Sequence, residues 1–239
     1  MKKAFVRSAL GFAVAVSLSS GALAADNPKD PAEGFNRAMF AVNEGIDKVI
    51  AKPLAKGYDH VAPLPVKAVV GNFFGNIADL MTGVHNLLQG KPGDALNDWG
   101  RVLVNTTIGI GGAFDVASEM GMEKHNEDFG QTLGVWGVGE GAYLFWPVIG
   151  PRTVRDTAGF VVDTQTDPLP RHHDVPVRNS LLGVRFVDHR AALLPTDRVI
   201  EEGALDKYSY IRDAYLQHRR NAVHDGYPPR EADEANGGR

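Results

Sequence analysis

Apolar residues recur at spacings of three and four along most of this chain, and this spacing is the strongest constraint on its fold. In segment 30–50, Phe35, Met39, Val42 and Ile46 fall on one stripe of a helix. No run alternates apolar and polar residues with the period of two that is typical of strands. The sequence therefore predicts an all-α protein with one glycine-rich hairpin or loop set into it. Further helices are expected over 66–89, 94–107, 114–120, 151–167, 177–194 and 197–224.

Proline, glycine and acidic residues predict where these helices begin and end. Asp30 followed by Pro31 is typical of an N-cap, so the first helix is expected to begin there and to end at Pro53. The helix over 66–89 is expected to break near Gly71 or Gly75. The apolar stripe of the first helix can face the core or lie in a membrane interface, and both interpretations stay open.

The first 24 residues have the pattern of a secretory signal peptide. Three basic residues precede an apolar stretch at 9–18, and an A-x-A cleavage motif stands at 22–24. We expect residues 25–227 to form one helical domain and the polar segment 228–239 to be a disordered tail. The mature chain would then keep 22 basic and 29 acidic side chains, a formal net charge of −7, which argues against nucleic acid as a partner.

No segment of the chain carries an established catalytic or metal-binding motif. The glycines at 108–112 and 137–141 do not spell a dinucleotide fingerprint, and we interpret them as hinges. Residues 125–128 (HNED) and 172–174 (HHD) contain metal-ligating side chains, but neither group has a known metal-site spacing. Solvated loops explain both groups better. The sequence predicts no catalytic residue, no metal and no cofactor.

Several motifs occur in one order along the chain: DPAEGFNRAMFAVNEGID at 30–47, NFFGNI at 72–77, NLLQGK at 86–91, RVLVNTTIGIGGAFDVAS at 101–118 and the segment 127–156. In this order they resemble the MlaA (VacJ) family, the outer-membrane component of the bacterial system that maintains lipid asymmetry. The resemblance implies a ring-like helical bundle with a central amphipathic channel, lying in the inner leaflet of the outer membrane.

The resemblance also implies a non-enzymatic function. Family members remove phospholipid that has strayed to the outer leaflet, associate with a trimeric porin and pass the lipid to a soluble periplasmic carrier. By this resemblance we expect porin contacts within 177–198. Two other functions stay open: a soluble periplasmic lipid shuttle, and a phospholipid hydrolase using His125 or His172.

The segment 137–151, GVGEGAYLFWPVIGP, is apolar and aromatic but shorter than the about 20 residues that a membrane-spanning helix needs. The resemblance implies that its glycines act as hinges beside the channel and that its aromatic residues face lipid or the channel. The expected hinge residues are Gly137, Gly139, Gly141 and Gly150. The expected lipid or channel residues are Phe73, Phe74, Trp136, Tyr143, Leu144, Phe145 and Trp146, with a place in the core as the alternative for each.

The chain departs from the family in one respect. It contains no cysteine, whereas family members commonly carry an acylated cysteine at the cleavage point. We therefore expect no encoded lipid anchor; either helices hold the protein at the membrane, with porin contact helping, or the protein is a more soluble variant.

Overall fold

The computed structural model describes residues 27–229. The expected signal peptide at 1–24 and the segment 230–239 of the expected tail lie outside the described residues. The main helices are α1 (Glu33–Ile46), α2 (Lys52–Val61), α3 (Leu64–Leu88), α4 (Pro92–Thr107), α5 (Val116–Glu119), α6 (Phe129–Val135), α7 (Val154–Thr166), α8 (Val175–Ala192), α9 (Leu194–Gly203) and α10 (Lys207–Val223). A hairpin of β1 (Tyr143–Trp146) and β2 (Gly150–Thr153) lies between α6 and α7, which is one of the two alternatives, hairpin or loop, that the sequence left open. The helix expected from residue 151 begins only at Val154, because residues 150–153 pair with β1 as a strand.

The first helix does not end at Pro53. A π-helical turn, Asp47–Ala51, joins α1 directly to α2, and the backbone stays helical from Glu33 to Val61. Pro53 lies in the first turn of α2, directly after the π turn, where the change in hydrogen-bond pairing accommodates a residue without an N–H. The helix ends only at Ala62, which has an extended backbone.

The prediction that Asp30 caps α1 is also wrong. The N-cap is Ala32, which has no side chain to donate or accept a capping hydrogen bond. Asp30 is buried instead, and its carboxylate accepts hydrogen bonds from Asn36 at 2.7 Å and from the hydroxyl of Tyr208 at 2.6 Å. Partners from distant parts of the chain therefore determine the position of this carboxylate.

The helix α3 runs without a break through both Gly71 and Gly75. A third glycine of this helix has a packing role, because a Cβ atom at Gly83 would lie 2.5 Å from Nε1 of Trp99. The absence of a side chain there lets α3 and α4 approach each other closely. The predicted helix break is thus wrong, and close helix packing is the physical reason for a glycine inside α3.

Two other helix boundaries differ from the sequence predictions. The segment 197–224 is divided into α9 and α10, and Asp206 caps α10 by accepting a hydrogen bond from the N–H of Tyr208 at 3.2 Å. The short helix α6 carries no strong apolar pattern and was not expected. Asp128 begins it by accepting a hydrogen bond from the N–H of Gln131 at 2.8 Å.

The apolar core is small and aromatic, and it lies between the hairpin, α1 and α10. Tyr143, Phe145, Tyr208 and Leu216 are buried there. The ring of Phe40 packs edge-on against the rings of Phe145 and Tyr208, with centroids 5.4 and 5.7 Å apart.

Candidate functional site

The distribution of polar and apolar residues is inverted relative to an ordinary soluble protein, in which large aliphatic residues fill the interior. In α3 the buried residues are mostly polar, among them Asp79 and Asn86, while Leu80 and Leu87 are exposed. The same inversion occurs in α1–α2, α4 and the loop after α4. Exposed apolar side chains of these segments are Phe35, Val42, Ile46, Val49, Ile50, Leu54, Leu96, Leu103, Ile108, Ile110 and Phe114.

This result decides between the two interpretations of the first apolar stripe. Phe35, Val42 and Ile46 are exposed, whereas the polar Asn36 on the same helix is fully buried. Three of the four residues of the stripe therefore face outward, as a helix in a membrane interface requires, whereas Met39 packs against the aromatic core. Exposed apolar patches of this extent mark an interaction with a membrane, a lipid or another protein.

Several of the buried charged groups are joined into hydrogen-bonded networks, although other buried polar atoms, such as Oδ1 of Asn76 and Nδ1 of His85, have no hydrogen-bond partner within residues 27–229. Arg101 is fully buried and donates to both carboxylate oxygens of Asp115, at 2.9 and 3.0 Å, and to Asp79 at 3.3 Å. Burial by itself would raise the pKa of Asp115, but hydrogen bonds from Ser118, Asn105 and Arg101 outweigh it and lower this pKa to about 2. The charge of Arg101 is thus compensated inside the protein.

A second network joins α6, α7 and α10. Arg219 donates to Asp128 at 2.6 Å and to Asp156 at 2.9 Å, and the hydroxyl of Tyr215 donates to Asp156 at 2.6 Å. Burial would raise the pKa of both carboxyl groups, but the hydrogen bonds and the charge of Arg219 outweigh it and lower both pKa values. This network connects helices that are far apart in the sequence without a large apolar core between them.

The hairpin is attached to the first helix by side chains of α1. The amide of Asn36 donates to the carbonyl oxygen of Tyr143 at 3.0 Å and accepts from the N–H of Phe145 at 2.9 Å. At the hairpin turn, the N–H of Val148 donates to Asn43 at 2.9 Å. The hairpin is therefore held along its length by two asparagine side chains of one helix.

Successive residues of β1 point to opposite faces, and this separates the predicted lipid-contact residues. Tyr143 and Phe145 are only 0% and 2% exposed, so both belong to the core, and the expectation that they face lipid or the channel is wrong. Leu144 and Trp146 lie on the other face and are partly exposed. The indole N–H of Trp146 donates to the hydroxyl of Thr157 at 3.1 Å.

The other predicted contact residues are partly or largely exposed. Phe73 and Phe74 are half-buried in α3, with ring centroids 5.3 Å apart. Trp136, directly after α6, is 53% exposed, and its indole N–H donates to the carbonyl oxygen of Leu88 at 2.9 Å. This is a typical arrangement for an amphipathic ring at a polar–apolar boundary.

The four predicted hinge glycines differ in backbone conformation. Gly137, Gly141 and Gly150 have φ values of 88°, 69° and 89°, in the region that favours glycine. Gly139 is not among the residues with positive φ, and a Cβ atom there would meet no neighbour within 4 Å. Three of the four predicted hinge positions therefore have a backbone conformation that favours glycine.

A cavity of about 670 Å³ lies where α1, the π turn and α2 meet α9 and α10. Its basic lining residues are Lys48, Lys52, Lys56 and Lys207. The sequence does not predict this cavity, because residues 44–56 and 201–207 are far apart in the chain. A smaller cavity of about 330 Å³ beside α6 and α10 is lined by polar residues, Glu127, Asp128 and Asp225 among them.

Neither histidine motif assembles a metal centre. His125 lies 2.8 Å from Asp98 through Nδ1, and residues 172–174 are exposed. Across residues 27–229 no group of three histidine, cysteine or acidic side chains is arranged to hold a metal ion. Within the same range, no helix combines the length and the hydrophobicity that crossing a bilayer requires.

Comparisons with known proteins agree with this geometry. The family model described as MlaA lipoprotein matches residues 28–222. The intermembrane phospholipid transport system lipoprotein MlaA of Escherichia coli is 32% identical over 221 residues, which cover 91% of this chain and 87% of the relative. The corresponding protein of Haemophilus influenzae is 32% identical over 82% of this chain and 80% of its own length. An uncharacterised protein of Rickettsia typhi is 36% identical over 81% of this chain and 78% of the relative.

The fold also matches a solved structure. That structure, which concerns the structural basis for maintenance of bacterial outer membrane lipid asymmetry, has a TM-score of 0.71 and 31% sequence identity. The match covers 81% of this chain and 98% of the solved one. The all-α, ring-like fold expected from the sequence is confirmed by the helices and by this match. By sequence over most of its length and by fold, this chain belongs to the MlaA family.

Proposed function

We propose that the protein is a non-enzymatic phospholipid transporter of the outer membrane, which removes mislocalised phospholipid from the outer leaflet and so maintains lipid asymmetry. The inverted distribution of residues is the observation that carries this proposal. Polar groups such as Asp79, Arg101 and Asp156 are buried, while more than thirty large hydrophobic residues between positions 27 and 229 are exposed. Water alone is a poor solvent for such a surface, whereas acyl chains are a favourable one.

In the proposed arrangement the exposed stripes of α1–α2 and α4 lie among the acyl chains of the periplasmic-side leaflet. A path lined by polar groups lowers the free energy of moving a headgroup past hydrocarbon, because such groups replace part of its hydration. Phe73, Phe74, Trp136, Leu144 and Trp146 are the candidate lipid or channel contacts. Their amphipathic or half-buried positions support this role.

The hairpin is the proposed moving part. Gly137 and Gly141 precede β1, and Gly150 begins β2, so these three positive-φ residues border the segment that would move. Gly139 lies between the first two, in open space, and can adjust its backbone without a clash. A change of hairpin position would alter access to the polar interior without breaking the helical scaffold.

The proposed partners are an outer-membrane porin trimer and a soluble periplasmic carrier that accepts the lipid. The name of the E. coli relative, which places it in an intermembrane phospholipid transport system, supports partners that deliver or accept lipid. Residues 177–198 of α8 and α9 are the proposed porin-facing segment. Val177, Val184 and Phe186 of α8 are exposed apolar residues that a partner surface can cover.

Membrane association provides the direct test. Leu96 and Leu103 lie two helical turns apart on α4 and are 68% and 66% exposed. The double substitution Leu96→Asp, Leu103→Asp places two charges on the proposed membrane face, where each charge costs about 2.5–3.5 kcal/mol in hydrocarbon. We expect flotation with phospholipid vesicles and removal of outer-leaflet phospholipid in cells both to fall strongly.

Gln217→Asp is the matched control, since Gln217 is an exposed polar residue outside the apolar stripes. It should leave both measurements unchanged. Unaltered flotation of the Leu96, Leu103 variant would contradict a membrane position and favour a soluble lipid shuttle. Release of fatty acid that stops on His125→Ala or His172→Ala would instead support a hydrolase.

A further inference from the structure

We propose that the lysine-lined cavity between α2 and α10 binds the phosphate-bearing headgroup of an anionic glycerophospholipid, and that it makes the protein prefer lipids of net negative charge. This inference rests on the proposed transport function and names the class of lipid that the protein handles best. It is carried by three features of the cavity: its size, its uncompensated charge and the apolar residues that accompany it.

The cavity has the size and position of a headgroup site. Its volume of about 670 Å³ falls within the range of about 300–1,000 Å³ that is usual for small-molecule sites. Lys48, Lys52 and Lys56 contribute one wall, at spacings of four residues along the first continuous helix. Glu201 of α9 and Lys207 of α10 contribute the opposite wall.

The acidic residues of the cavity are already paired. Each of its three acidic side chains has a basic partner within hydrogen-bond distance. Glu44 pairs with Lys207 at 2.8 Å, Asp47 with Arg190 at 2.6 Å and Glu201 with Lys52 at 2.7 Å. Asp197 is a fourth carboxylate of this network, 3.4 Å from Lys52 and 2.6 Å from Arg190, so the paired groups have a formal net charge of −1, and Lys48 and Lys56 bring the total to +1.

Lys48 and Lys56 are the remaining cations. Neither side chain makes a hydrogen bond or an ion pair with any other residue of the described range 27–229. Both are exposed, and both line the cavity. Two ammonium groups without a carboxylate partner, beside a cavity, attract a phosphate diester more strongly than a neutral or cationic group.

Apolar side chains accompany these charges on the same helix. Val49, Ile50 and Leu54 are 74%, 54% and 53% exposed; they belong to the same continuous helix as the lysines but do not line the cavity. Leu205, two residues before the cavity residue Lys207, is fully exposed. A phospholipid has the same order of parts, since its charged headgroup is joined directly to acyl chains.

The smaller cavity does not offer the same chemistry. It contains Arg219, but that guanidinium already donates to the carboxylates of Asp128 and Asp156. Glu127 and Asp225 add further negative charge to its lining. An anionic headgroup would therefore be repelled there, and the lysine-lined cavity is the favoured site.

The test compares binding of two short-chain lipids, dihexanoylphosphatidylglycerol and dihexanoylphosphatidylethanolamine, to the purified protein by calorimetry. We expect the anionic lipid to bind about three- to tenfold more tightly, as two solvent-exposed charge contacts allow. The double substitution Lys48→Gln, Lys56→Gln should remove most of this preference. Lys29→Gln is the matched control, because Lys29 is exposed and lies outside the cavity, and it should keep the preference.

Equal affinity of the unsubstituted protein for the two lipids would overturn the inference, and so would an undiminished preference in the double variant. Glycerol phosphate is measured in parallel, and binding as tight as that of the anionic lipid would assign the site to a free phosphate ester instead. Transfer of each lipid between vesicles separates the two proposals. If both lipids are transferred at equal rates, the headgroup preference is contradicted but the proposed transport function is not. If neither lipid is transferred, the proposed transport function is contradicted.

Discussion

Replacement of Arg219 by methionine tests whether buried ion pairs, rather than an apolar core, hold the C-terminal helix in place. Arg219 is 7% exposed and makes four hydrogen bonds of 2.6–2.9 Å to Asp128 and Asp156. Breaking a buried pair by removing one partner costs about 3–5 kcal/mol, because a buried charge stays uncompensated. Asp156 keeps the hydroxyl of Tyr215 and the guanidinium of Arg155, so the lower value applies.

We therefore expect Arg219→Met to lower the free energy of unfolding by about 3 kcal/mol at pH 7, measured by urea denaturation in detergent micelles with circular dichroism. Arg171→Met is the control, since Arg171 is exposed and its side chain makes no hydrogen bond or ion pair within residues 27–229. It should change stability by less than about 0.5 kcal/mol. A loss below about 1 kcal/mol in Arg219→Met would refute the view that this network stabilises the fold.

The pH dependence gives a second check on the same network. In the unsubstituted protein the pKa values of Asp128 and Asp156 are lowered, so their contribution to stability is present above their unfolded pKa of about 3.9 and is lost as the pH falls below it. Without Arg219, burial raises both pKa values, and protonation relieves the uncompensated charge. The stability difference between variant and unsubstituted protein should therefore shrink as the pH falls from 7 towards 4.

Four further substitutions test close packing, backbone conformation and hydrogen bonding. Gly83→Ala should destabilise the protein by about 1–3 kcal/mol, because the added Cβ atom would lie 2.5 Å from the indole of Trp99. The fluorescence emission of this indole should shift as well. Unchanged emission and stability would contradict the close approach of α3 and α4. Gly150→Ala should lower the free energy of unfolding by about 1–2 kcal/mol, because φ at this residue is 89°. Gly139→Ala should leave the stability unchanged, because Gly139 does not have a positive φ. Equal effects of the two substitutions would contradict the expected backbone strain at Gly150. Asn36→Ala should lower the free energy of unfolding by about 2–4 kcal/mol, since it leaves a buried carbonyl and a buried N–H of the hairpin without partners. Amide hydrogen exchange in β1 should accelerate. Unchanged exchange would show that other contacts hold the hairpin.

The helical architecture follows from the local pattern of the chain. The spacing of Phe35, Met39, Val42 and Ile46 predicts a helix whatever lies around it, and α1 occurs there. The glycines that border segment 137–151 likewise indicate chain reversal, and the hairpin of β1 and β2 lies between them. These features depend on neighbours within a few residues, so the sequence alone is sufficient to predict them.

The direction in which a helix face points is not a local property. Phe35 and Val42 are exposed, and Asn36 is buried, because Asn36 has partners on a hairpin more than one hundred residues away. A signal for this inversion was present in α3, where Asn76, Asp79 and Asn86 recur at helical spacing. The pattern could not show whether the apolar stripe or the polar stripe of a helix faces inward, since both stripes have the same period.

The sequence by itself determined that the chain is helical, where most of its helices lie, and, through motifs in a fixed order, which family it belongs to. The tertiary structure alone decided that the polar stripes are buried, that Tyr143 and Phe145 belong to the core and that two uncompensated lysines border a cavity. The physical reason is that hydrogen bonding and ion pairing between distant residues, such as Arg219 with Asp128, set which faces are desolvated. The periodicity of the sequence predicts that a helix has an apolar and a polar face. Only the residues that pack against these faces determine whether each one contacts protein, water or lipid.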